Sequence, residues 1–94
     1  MYTVTAKLNF WIPHAYSLKD KRRVGKSMIE KTRHRFNASV AEVDTQEIHQ
    51  TLTIGVAVVS GDATHARRYL DEIIRYMEFN AEADAELTGI EIDD

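Results

Sequence analysis

Near the start of the chain Val4, Ala6, Leu8, Phe10 and Ile12 alternate with Thr5, Lys7, Asn9 and Trp11. A period of two places one set on each face of an extended segment, so residues 4–12 predict a half-buried strand. Pro13 has no backbone donor and ends it. Ser17, with Asp20 three residues on, has the spacing of a helix N-terminus, where the hydroxyl accepts from an orphan amide. The helix is expected over about residues 18–36. At 100° per residue, Leu18, Gly25, Met28, Ile29, Thr32 and Phe36 gather on one side. Lys19, Arg22, Arg23, Lys26 and Arg33 gather on another, with Glu30 inside the basic stripe. Asn37 tolerates the left-handed conformation and is expected to stop the helix.

Residues 39–43, Ser-Val-Ala-Glu-Val, read as a second strand, and the polar residues 44–50 as a connecting loop. Leu52, Ile54, Val56 and Val58 then alternate with Thr53, Gly55, Ala57 and Val59 along a third strand. Ser60-Gly61-Asp62 makes a turn, and Asp62 or Thr64 caps a second helix that ends near Asn80 with Ala66, Leu70, Ile73 and Met77 on its apolar stripe. Residues 86–92 close as a short strand with Ile90 and Ile92 directed inward. The order is βαββαβ, and right-handed helical crossovers turn it into an α+β, ferredoxin-like sandwich: a four-stranded antiparallel sheet with both helices on one face. No repeat or Pro/Gly-rich linker interrupts it, so a single domain is expected over residues 1–94. The second sheet face is left open and carries Lys7, Asn9 and Trp11 beside Thr53, Gly55, Ala57 and Val59. Such a small, rather apolar platform is a candidate interface, and a homodimer through it or through an edge strand is expected ahead of a monomer with a lone exposed Trp.

Composition narrows the classes. With 94 residues, 44% hydrophobic and 29% charged, the chain matches an ordinary globule with one core. It has no cysteine, which excludes disulfides, thiolate metal sites and a Cys nucleophile, and favours a reducing compartment. The longest stretch without a polar side chain, residues 54–59, is far short of the roughly 18 needed to span a bilayer. No pattern of a secretory signal is apparent, and a cytoplasmic, non-membrane protein is expected. The net charge of −3 hides a strong asymmetry. Residues 19–35 hold eight basic side chains against two acidic ones, net +6, and residues 71–94 hold nine acidic against one basic, net −8. A local basic field recruits anionic partners even in an acidic protein.

Chemistry is harder to find. His14, His34, His49 and His65 fall in no metal-ligand spacing. Glu42 and Asp44, two apart and hence on one face of a strand, followed by Glu47 and His49, could hold a divalent cation, but such a cluster is usually solvated or paired with arginines of the basic helix. There is no G-x-S-x-G elbow, and Ser17 is accounted for by capping. Gly25-Lys26-Ser27 repeats the last letters of a phosphate-binding loop without its first glycine, and inside a helix. Small phosphatases of this topology need a glycine-rich loop with an arginine after the first strand, where this chain has Pro13-His14-Ala15-Tyr16. No catalytic residue, metal or cofactor emerges. Base stacking on the sheet would want the aromatics of the RNP pattern on the third strand, and residues 51–57 have none. Laying a basic helix and its cap along a phosphate backbone needs only clustered Lys and Arg, which this helix has.

The runs Ser17-Leu18-Lys19-Asp20-Lys21-Arg22-Arg23-Val24, Arg35-Phe36-Asn37, Ser39-Val40-Ala41-Glu42-Val43-Asp44 and Gly55-Val56-Ala57-Val58-Val59-Ser60 together resemble the YlxP-like family, bacterial proteins catalogued as a domain of unknown function. The resemblance covers nearly the whole chain and implies the ferredoxin-like fold. It also implies, by the genomic company of translation factors and a ribosome-binding factor, a ribosome-linked or RNA-linked role. This chain has His49 where the family often has an aromatic, Thr51 where it often has arginine, and Tyr16 where it often has histidine, which implies a different or weaker grip there. The resemblance supplies no catalytic residues. The expectation is therefore a non-enzymatic RNA-binding or ribosome-associated accessory protein acting in small-subunit assembly or translation. Lys19, Lys21, Arg22, Arg23, Lys26, Arg33 and Arg35 contact phosphate in this reading, and Lys7, Asn9 and Trp11 form a possible interface on the sheet. The alternative is a homodimeric protein–protein module whose basic helix docks an acidic surface.

Overall fold

The alternation of residues 4–12 becomes an interior strand of the sheet. A computed structural model describes residues 1–81 and 85–94. Its elements are β1 (Tyr2–Trp11), α1 (Leu18–Arg35), β2 (Ser39–Glu42), β3 (Thr51–Ser60), α2 (Ala63–Phe79) and β4 (Glu86–Asp93). The strands lie in the order β2-β3-β1-β4, and every neighbouring pair is antiparallel. β1 pairs with β3 from Tyr2↔Ser60 to Trp11↔Thr51. Residues paired across a sheet share a face, so Val4, Ala6, Leu8 and Phe10 stand beside Val58, Val56, Ile54 and Leu52. All eight are buried. The helices close this face with Met28 and Thr32 of α1 and with Ala66, Leu70, Ile73 and Met77 of α2. α1 approaches closely at Gly25, where a Cβ would stand 3.2 Å from Leu52 Cδ1. This is the ferredoxin-like sandwich that the element order implies.

Three local expectations need correction. α1 ends at Arg35, and Phe36 leaves it in an extended conformation (φ −126°, ψ 149°) while its N–H still donates to Thr32 O. Asn37 is not left-handed; Asp44 (φ 64°) is the one non-glycine residue with positive φ among those described. The physical reason is aromatic packing. The Phe36 ring meets Tyr69 and Tyr76 of α2 edge-on, at 5.6 and 5.3 Å between centroids, and the Asn37 N–H donates to the Tyr69 hydroxyl at 2.8 Å. These contacts carry the chain out of the helix without a left-handed residue.

Ile90 and Ile92 are not interior. They pair with Leu8 and Ala6 and so share the helix-facing side, but α2 packs over β1 and β3, inboard of the edge strand. The two side chains remain 43% and 37% exposed. A bulge between Asn9 and Phe10 leaves Thr88 without a cross-strand partner, and its hydroxyl donates to Asn9 O. Of the β4 side chains, Leu87 packs against the core. Finally, Glu42 and Asp44 do not share a face. Glu42 pairs with the helix-facing Ile54, whereas the left-handed turn at Asp44 sends its carboxylate over the open face to Lys7.

Candidate nucleic-acid interface

α1 begins where the Ser17 hydroxyl accepts from the Asp20 N–H at 3.1 Å. In return, the Asp20 carboxylate accepts from the Tyr16 N–H at 3.1 Å. The reciprocal cap satisfies orphan donors and sets a negative charge against the positive helix end, which Lys19, Lys21 and Arg22 otherwise crowd with like charge. From this cap Lys19, Arg22, Arg23, Lys26 and Arg33 run along the solvent side of α1. All five are exposed, and none has an ion-pair partner among the described residues. At 1.5 Å rise per residue the row spans about 21 Å. Arg33, His34 and Arg35 in the last turn are favoured by the helix dipole.

Lys21 has to be removed from this row. Its side chain is 0% exposed. The ammonium donates to the carbonyl of Thr45, lies 2.8 Å from Glu42 Oε2, and donates to Thr51 O at 3.4 Å. An ammonium has three donors, and all three are used. Positions 21, 25, 28 and 32 follow one helical stripe, and each is buried. The stripe was visible in the sequence; the basic run around Lys21 masked it. The residue ties α1 to the end of β2 and the start of β3, and cannot touch phosphate.

Arg35 is exposed but turned toward α2, with its guanidinium 5.6 Å from the Tyr76 ring centroid and 6.0 Å from that of Phe36. It flanks a cleft lined by Glu30, Lys31, His34 and Tyr76. The expected seven-residue surface is therefore five side chains in a row, one buried lysine and one stacked arginine. Sequence reasoning passed over Arg68 and Arg75. Both are exposed on the side of α2 opposite its buried residues and have no ion-pair partner among the described residues. Their spacing of seven, two helical turns, was the available signal.

On the open sheet face the three expected residues lie on β1 but differ in availability. Lys7 Nζ bonds Asp44 Oδ2 at 2.6 Å. That hydrogen bond, with the charge of Asp44 behind it and Glu91 nearby, raises the Lys7 pKa above its ordinary 10.5. Asn9 Oδ1 accepts from the Thr53 hydroxyl at 2.8 Å. Thr53 is itself buried, because residues 43–45 fold back over it: its amide donates to Thr45 Oγ1 and its carbonyl accepts from the Val43 N–H. Gly55 makes room for this fold-back, since a Cβ there would stand 3.2 Å from Val43 Cγ1. Trp11 remains half exposed at one end. The middle of the face is a shallow depression of about 540 Å³ floored by Thr5, Ala41, Gly55 and Ala57 and edged by Lys7, Glu91 and Asp93. Carboxylates of β4 thus rim the open face opposite the paired Lys7, and the unpaired cations of α1 stand on the helix layer. Arg67 of α2 is paired, with Asp71 at 3.1 Å and Asp94 at 3.2 Å, and these partners, Asp71 first, raise its pKa. Among the described residues no group of His, Asp and Glu is placed to hold a metal ion, and no helix is long and apolar enough to cross a membrane.

Known proteins resemble this arrangement at two levels. A solution NMR structure of a de novo designed protein with ferredoxin fold superposes with a TM-score of 0.60 over 99% of this chain and 84% of that one, at 16% identity, a likeness of fold alone. The "Uncharacterized protein YlxP" of Bacillus subtilis (strain 168) is 29% identical over 77 residues, covering 82% of this chain and 84% of that protein. Residues 3–92 match the family model described as "Protein of unknown function (DUF503)". With nearly its whole length inside that match, the chain belongs to the DUF503 family, in which YlxP is a relative.

Proposed function

We propose that the protein is a cytoplasmic, non-enzymatic RNA-binding or ribosome-associated accessory factor that contacts phosphate through α1 and acts in small-subunit assembly or translation. One observation carries this reading: Lys19, Arg22, Arg23, Lys26 and Arg33 share one exposed side of α1, with Glu30 as the single acid among them, and none of the five makes an ion pair with a described residue. Lys7, Lys21 and Arg67, by contrast, are each matched to a carboxylate. Leaving five cations unmatched on one helix costs repulsion, and a polyanion relieves it by releasing its own counterions. Phosphate contacts set position without reading sequence, so specificity comes from RNA shape or from a neighbouring protein.

The test is co-sedimentation with purified small ribosomal subunits across a salt series, comparing wild type with Lys19→Glu/Arg22→Glu/Arg23→Glu, the fold of each checked by circular dichroism. Five contacts predict a log–log salt slope of about −3.5 for single-stranded sites. Binding that is absent, or indifferent to the triple substitution, removes α1 from the role.

A second reading is a homodimeric interaction module whose basic helix docks an acidic protein surface. It is favoured by the small-residue depression on the open face and by two exposed apolar side chains, Trp11 toward one end of that face and Val59 toward the other. Sedimentation equilibrium of wild type against Trp11→Ser decides it: a dimer that the substitution dissociates supports this reading, and a monomer at high protein concentration ends it.

A further inference from the structure

The exposed aromatic on the helix layer is Phe79, in the last turn of α2. It is 89% exposed, and its ring has no aromatic or cationic partner among the described residues. Four other rings of this layer are engaged with one another: Phe36 lies edge-on to Tyr69 and Tyr76, Arg35 covers Tyr76, and His65 stacks on Tyr69 at 6.1 Å. A single exposed apolar side chain needs no explanation by itself. The surroundings of Phe79 distinguish it. Arg75 precedes it by one helical turn on the same outward side of α2, exposed and unpaired. Tyr76, Met77 and Asn80, which bracket Phe79, line one small crevice with Met28, Lys31 and Thr32 of α1. Phe79 is therefore level with the stretch of α1 between Lys26 and Arg33 and, like them, faces solvent.

Cations that track a backbone, with an aromatic face set to one side, are the two parts of a single-strand binding surface. We infer that Phe79 is a base-stacking residue and Arg75 a further phosphate contact, so that the ligand of the α1 surface is unpaired RNA. The inference rests on the RNA-binding reading of α1 and deepens it. A duplex keeps its bases stacked on each other and offers Phe79 no π face; an unpaired nucleotide beside the α1 phosphates does.

Fluorescence anisotropy with a labelled 12-nucleotide oligouridine and with a 12-base-pair RNA duplex tests this across a salt series. The oligouridine is expected to bind more tightly than the duplex. Phe79→Ala is expected to weaken it about tenfold with the salt slope unchanged, since no phosphate contact is lost. Phe79→Leu keeps apolar bulk without a π face and should fall with Phe79→Ala, while Phe79→Trp retains binding. Arg75→Gln should flatten the slope by about 0.7. If Lys19→Glu/Arg22→Glu/Arg23→Glu abolishes binding while Phe79→Ala binds as wild type, the stacking role is overturned and the α1 reading stands. A preference for duplex, or a Phe79→Leu variant equal to wild type, also overturns it. If neither probe binds, or the triple substitution changes nothing, the α1 reading itself fails. Phe79 is solvent-facing, so its variants keep the fold, which circular dichroism verifies.

Discussion

Replacing Lys21 by Met tests whether that basic residue belongs to the interior. Met keeps most of the aliphatic stem and removes the ammonium, so the change in volume is small and the change in charge complete. The substitution leaves Glu42, whose side chain is 19% exposed, accepting from the Thr45 hydroxyl at 3.2 Å. It also leaves the Thr45 and Thr51 carbonyls without the donor that Lys21 brings. Breaking a buried pair by deleting one member costs about 3–5 kcal/mol. Glu42 retains some access to water, so the lower end applies, about 3 kcal/mol. Out of a total of about 5–15 kcal/mol for a domain of this size, the loss lowers Tm by roughly 12–24 °C. Glu42→Gln should cost at least as much: the amide oxygen still accepts from the ammonium, but the fully buried Lys21 loses its counter-charge. The double variant should lose less than the two single losses added, by about 1 kcal/mol or more. Urea unfolding followed by circular dichroism, extrapolated linearly, measures all three. Lys21→Met within 0.5 kcal/mol of wild type, or strictly additive losses, would refute the buried arrangement. A companion measurement separates structure from binding: in low denaturant, where Lys21→Met remains folded, its RNA affinity should equal that of wild type.

Three further outcomes follow from single contacts. The raised Lys7 pKa means that the native state holds this proton more tightly than the unfolded chain. Its contribution is complete below the ordinary value of 10.5 and disappears as pH rises through the raised value. Thermal melts from pH 9 to 12 should therefore fall more steeply for wild type than for Lys7→Met. Ser17→Ala removes the cap oxygen that accepts from Asp20 and should cost about 1 kcal/mol in urea, whereas Ser17→Asp should hold its stability. Gly55→Ala brings a Cβ to 3.2 Å from Val43 Cγ1 and should cost about 1–3 kcal/mol, with Val43→Ala restoring part of it.

Elements with a covering partner on one side were legible as sequence. β1 and β3 alternate without error over the residues that face the helices, because a half-buried strand has a period and each position reports its own environment. β4 shows where this breaks down. Its Ile90 and Ile92 have the right parity for the core, but whether a helix lies above them depends on where α2 crosses the sheet, which no residue of β4 encodes. Phe36 and Asn37 repeat the lesson at the end of α1, where rings from a helix more than thirty residues away decide how the chain leaves. In the candidate site, the outward row of α1 followed from spacing alone. The burial of Lys21 followed from the same spacing, but charge composition outweighed geometry. The separation of Glu42 from Asp44 depends on one left-handed residue and could not be read from a run of polar side chains.

The strand order bears on the timing of synthesis. β1 is made first yet sits inside the sheet, and both its neighbours come later, β3 from residues 51–60 and β4 from residues 86–93. β2 pairs with β3 alone, so no ladder forms before the third strand has left the exit tunnel. At about 5–20 residues per second, the apolar face of β1 waits several seconds for its first partner. In that interval the nascent chain presents an unpaired strand and an amphipathic helix to whatever chaperones or proteases stand at the tunnel mouth. A stalled chain ending before β3 should be cleaved readily there, and one that has released β3 should resist.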